Sequence, residues 1–91
     1  MALKIETRHL GEKLVVQLIG DLDVEHLHEV KTQVSETPLH VVVDIGELTL
    51  ISVEGIRFLN TCQNDGMPII NASTYISEWM ALERGTGRKQ P

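Results

Sequence analysis

Polar and apolar positions alternate at the start of the chain, where Leu3, Ile5 and Thr7 interleave with Lys4, Glu6 and Arg8. A period of two marks a strand with one covered face, and it predicts a strand from Leu3 to His9. Leu10-Gly11-Glu12 is a turn signal, and Lys13 to Ile19 reads as the returning strand of a hairpin. Gly20 ends that strand and releases the chain into Asp21-Leu22-Asp23. Asp23 has the chemistry of an N-cap for a helix from Val24 to Ser35. Leu27, Val30 and Val34 share one face of this helix, while Glu25, Glu29 and Lys31 lie outside it. Thr37-Pro38 closes it.

The unbroken Val41-Val42-Val43 run predicts a strand from His40 to Ile45, covered above and below or lying centrally in its sheet. Gly46-Glu47 reads as a turn, and Leu48 to Ile51 as a run into a helix that starts at Ser52. Ile56, Leu59 and Cys62 form the inward stripe of this second helix, and Asp65-Gly66 stops it. A short strand follows from Pro68 to Asn71. Ser73 or Thr74 opens a last helix carrying Tyr75, Ile76, Trp79, Met80 and Leu82. The order β-β-α-β-α-β-α predicts a single-domain α/β fold: a four-stranded mixed sheet with helices packed on it as crossovers. Residues 1–84 form the domain, and residues 85–91 are expected to be a disordered basic tail.

Length tightens this picture. A chain of 91 residues holds one core, with few apolar residues to spare for a deep substrate cavity. Its single cysteine cannot form an internal disulfide, which suits a reducing compartment. No basic leader precedes a long apolar run, and Leu14 to Ile19 is interrupted by Gln17 and too short to span a bilayer. A cytoplasmic location without membrane insertion is therefore expected. Over residues 1–83, five basic residues meet all 13 acidic ones, a balance of −8. Such a body repels phosphate backbones and anionic headgroups, which argues against nucleic acid as a partner.

Ligands gather at the carboxyl ends of strands in open α/β sheets. That edge is expected to hold Asp21, Asp23, Glu25, Asp44, Glu47 and Glu54. One reading is an aspartate-based phospho-acceptor or metal-dependent site at Asp23 and Asp44, but no lysine lies near these positions to assist it. The other reading gives Asp23 to a helix cap and Asp44 to tying down a loop. His26 and His28 are two apart on a helix, so they diverge and are expected to face solvent without sharing a metal. Cys62 falls on the inward stripe as a small core residue. With no serine–histidine–aspartate spacing and no glycine-rich phosphate loop, neither catalysis nor a cofactor or metal is expected.

A helix N-terminus at this edge offers unpaired backbone amides and the positive end of a dipole. Glu54 sits favourably there. Val53, Arg57, Asn60 and Asn64 read as the outward face of the second helix, flanked by Glu54, Phe58 and Thr61. Val53 and Phe58 are apolar on an otherwise polar face with Arg57 between them, and aromatic and arginine residues are the usual anchors of interfaces. Alternatively, Phe58 folds onto the edge of the core and Arg57 pairs with Glu54. The last helix likewise carries apolar residues round more than one face, for the core or in part for a partner.

Three stretches resemble STAS domains, the family of anti-sigma factor antagonists and sulfate transporter tails. They are Ile19-Gly20-Asp21-Leu22-Asp23-Val24; Val41-Val42-Val43-Asp44 with Leu48-Thr49-Leu50-Ile51; and Ile70-Asn71-Ala72-Ser73 with Ile76 and Met80. The resemblance spans residues 3–83 and implies a STAS-like fold acting as a regulatory binding module. In that family the regulatory helix opens Asp-Ser-x-Gly, and a partner kinase phosphorylates the serine. Here the positions read Ser52-Val53-Glu54-Gly55, so Val53 stands where the phosphoserine would be. The usual switch cannot operate, Ser52 is left as a weak phosphorylation candidate, and capping is its expected duty. The resemblance implies a partner-binding surface of Asp23, Ser52, Val53, Glu54, Gly55, Arg57 and Phe58. The implied partner is a protein such as an anti-sigma factor or serine kinase, or alternatively a transport ATPase served by an accessory subunit of STAS type.

Overall fold

A computed structural model describes residues 2–35 and 40–87, with side chains to residue 85. The elements run β1 (Leu3–Leu10), β2 (Lys13–Leu22), α1 (Val24–Ser35), β3 (His40–Ile51), α2 (Val53–Asn64), β4 (Ile69–Ile70) and α3 (Thr74–Gly87). The sheet order is β1-β2-β3-β4, with β1 antiparallel to β2 and the other neighbours parallel. This is the mixed four-stranded α/β architecture and element order that the patterning predicts.

The hairpin closes over Gly11, whose φ of +64° supplies the left-handed residue that a two-residue hairpin turn requires. Both crossovers step in the same direction across the sheet. With the usual right hand, α1 and α2 then fall on the same side. A single core results: Val16, Leu18, Val43 and Ile45 from the sheet meet Val30, Ile56, Leu59, Ile76 and Met80 from the helices. Among the described residues the opposite face carries no helix. Val15 and half-buried Val42 lie there, so the three-valine run reflects the central position of β3 and not cover on both sides.

Three boundaries differ from expectation, the first being β2, which Gly20 does not end and which runs on to Leu22. Gly46-Glu47 is not a turn, because β3 continues through it to Ile51. The pairing moves from Gln17–Asp44 to Ile19–Glu47, so β3 carries an extra residue there, and a second shift follows between Gly20 and Asp21. A glycine inside a strand pattern marks a bulge as readily as a turn. At the other end, α3 runs past Gly85 to Gly87, and the remaining tail residues 88–91 lie outside the described residues. The Thr37-Pro38 stop also lies outside them. Among the described residues no helix is long and apolar enough to cross a membrane.

Candidate functional site at the start of α2

The bulges in β3 carry the chain to the carboxyl edge of β2, where the backbone N–H of Ser52 donates to the Leu22 carbonyl at 2.9 Å. On the other side of β2, Gly20 permits the close approach of the start of β1. Its φ is +101°, and a Cβ there would stand 2.5 Å from the carbonyl oxygen of Ala2. Ser52 is extended and caps α2, its Oγ accepting from the Gly55 N–H at 3.1 Å. Gly55 is buried, and a Cβ at that position would meet Ile51 at 2.8 Å and the Leu22 carbonyl oxygen at 3.0 Å. The first turn of α2 can sit this close to the sheet only without a side chain at Gly55.

Apolar groups surround the tip. Val24 and Leu50 are 60% and 56% exposed, and Val53 is half-buried. Beside it, Val24, Leu27, Lys31, Glu54, Arg57, Phe58 and Thr61 line a groove of about 370 Å³ between α1 and α2. Leu27 and Phe58 form its apolar floor, and Lys31, Glu54 and Arg57 are exposed on its walls. Arg57 does not pair with Glu54; its Nε donates to Glu83 Oε1 on α3 at 3.0 Å.

Of the predicted surface, Val53, Glu54 and Arg57 share this rim with the Ser52 cap. Phe58 folds into the core and keeps only an edge on the groove, which settles its two readings for burial. Asn60 corrects the expectation of an outward residue. It is buried, donates through Nδ2 to the Met80 carbonyl at 3.0 Å and accepts from Arg84 at 2.8 Å. Ile56 and Asn60 are four apart, so the helical period already places Asn60 beside the inward stripe, and α3 covers it. Leu50 and Val24 were not picked out from the sequence. A strand end and a helix N-terminus give no periodic sign of which apolar residues stay uncovered.

The acidic edge has structural employment. The Asp23 carboxylate accepts from the Glu25 N–H at 3.1 Å, as an N-cap does. His26 is half-buried and not solvent-facing: its Nδ1 sits 2.9 Å from Asp23 Oδ1, a close contact without hydrogen-bond alignment. Three residues along a helix separate cap and ring, which folds the imidazole back over Asp23. Asp44 is buried, its Oδ1 accepting from the Gly46 N–H at 2.9 Å and from Asn71 Nδ2 at 3.1 Å. It thus pins the β3 bulge to the end of β4. Asp21 is buried too, with Thr49 Oγ1 at 3.5 Å. Among the described residues, the ligand-type side chains that converge are Asp23, Glu25 and His26, and that set does not include Asp44.

On α3, Ile76 and Met80 enter the core, whereas Tyr75 and Leu82 are exposed. Tyr75 packs against half-buried Trp79, with ring centroids 5.7 Å apart and planes tilted by 54°. Burial pushes the Cys62 thiol up to about 11, with the negative charge of Asp65 adding to the rise and Lys31 opposing it. That state is the reverse of an activated nucleophile.

No protein-family model matches this chain, and no curated protein sequence matches it.

Proposed function

We propose that this protein is a non-enzymatic regulatory module that docks a partner protein on the α2 tip and the adjoining α1–α2 groove. In this reading it resembles an anti-sigma factor antagonist without the phosphoserine switch, and it works in the cytoplasm. The observation that carries the reading is the exposure of Val24 and Leu50, with half-buried Val53, around a helix tip beside a groove with apolar floor and charged walls. Uncovered apolar groups with a polar surround are typical of docking sites. Val53 supplies contact area where the family carries a hydroxyl, so docking here is constitutive with respect to phosphate.

The test is affinity capture from a lysate of the source cells, comparing the native chain with a Val24→Glu/Leu50→Glu variant whose circular dichroism is unchanged. Capture of a serine-kinase-type anti-sigma factor, lost by at least tenfold in the variant, is the expected result. Equal capture by both proteins would remove this surface from consideration. Capture of a transport ATPase through the same residues would assign the accessory-subunit role instead.

A further inference from the structure

The two edges of the sheet are unequal. β4 has two residues, whereas β1 offers eight along its full length and, among the described residues, has only β2 beside it. The phase of its backbone follows from the hairpin. The two-residue turn closes on the Leu10–Lys13 pair, and Ala2 directs its carbonyl inward to the Asp21 N–H at 3.1 Å. Inward bonding therefore falls on the even-numbered residues, and Leu3, Ile5, Thr7 and His9 turn their N–H and C=O groups outward. Such a row is a template for a further strand.

The side chains of β1 restrict what that strand can be. Its helix-free face presents Lys4, Glu6 and Arg8, alternating in sign. Lys4 and Glu6 already stand 3.0 Å apart within the strand, both largely exposed. The Lys4–Glu6 half of this pattern is complementary to itself when reversed. We infer that β1 pairs antiparallel with β1 of a second copy of this chain, centred on Ile5, to form a two-fold dimer with a continuous eight-stranded sheet.

In that register Ile5 faces Ile5 of the second copy and Leu3 faces Thr7, all with outward backbone groups, giving about six new hydrogen bonds. Lys4 faces Glu6 twice, in the non-hydrogen-bonded positions where opposed side chains approach most closely. Half-buried Leu3 and Ile5 lose their remaining exposure. Sliding to a Glu6-centred register would oppose Glu6 to Glu6 and Lys4 to Arg8, which like-charge repulsion disfavours. A Thr7-centred register would oppose Glu6 to Arg8 but set Lys4 against Leu10. The Ile5-centred pairing satisfies charge and apolar contacts together.

Sedimentation equilibrium in physiological salt, over a micromolar to submillimolar series, tests the pairing. The native chain should approach twice its 10.2 kDa mass. Lys4→Glu and Glu6→Lys alone should each weaken association by about tenfold, because each replaces two attractions by two repulsions. The combined Lys4→Glu/Glu6→Lys swap should restore it, and Arg8→Glu, opposite Ala2, should leave it unchanged. Amide exchange at Ile5 and Thr7 should slow as the dimer fills. A native chain that stays monomeric, a dimer indifferent to both single changes, or one that the combined swap fails to rescue would overturn the proposal. Loss of association in Arg8→Glu would overturn the Ile5-centred register.

Discussion

Single residues at the β2–α2 junction show how chemistry that looks reactive is used for construction. Asp23 and Ser52 are helix caps, Asp44 is a strap across the bulge, and Gly55 is the absence of a side chain where a helix tip meets a strand end. Cys62 belongs with them. Its thiol, raised to about 11 by burial, stays protonated at neutral pH. A thiol reagent at pH 8 should therefore label the native protein far more slowly than the unfolded chain, by at least tenfold, as followed by absorbance. The linkage has a definite sign. The folded state holds the thiol proton more tightly than the unfolded one, whose thiol titrates near 8.5. This contribution to stability is complete below about pH 8.5 and is lost as pH rises towards 11. Denaturant midpoints measured across that alkaline range should fall with pH.

At the level of elements, caps and stripes made the three helices legible. Leu27, Val30 and Val34 are buried along α1, and Ser52 closes the first turn of α2, as their spacing and chemistry imply. Ser52→Ala should cost about 1 kcal/mol, from urea unfolding, because it orphans the Gly55 N–H. Contacts between elements were not legible in the same way. Arg57 has an acidic neighbour on its own helix at Glu54, yet pairs with Glu83 on α3. Asn60 is polar, yet its two polar ends are satisfied by Met80 and Arg84 across the α2–α3 interface. Local spacing describes a helix in isolation, whereas these partners come from α3, about twenty or more residues further along the chain. The β3 bulges were equally hidden, since they arise from fitting one strand against another.

For the whole molecule, a single core on one side of the sheet concentrates stability in the central strands. Amides in the middle of β2 and β3, such as those of Val16, Leu18 and Val43, should exchange slowest by NMR, and those of β4 and the ends of α3 fastest. Among the described residues the helices lie on one face of the sheet and leave the other face and the long β1 edge uncovered, while the α2 tip presents a groove and a rim. The sequence by itself determined the element order, the caps and the inward stripes, because these follow from periods of two and 3.6 acting within a few residues. Only the tertiary structure decided that Phe58 and Asn60 go inward, that Arg57 reaches α3, and that Val24 and Leu50 stay uncovered. Burial depends on which neighbour arrives to cover a residue, and that neighbour is brought by the sheet and its crossovers from distant parts of the chain.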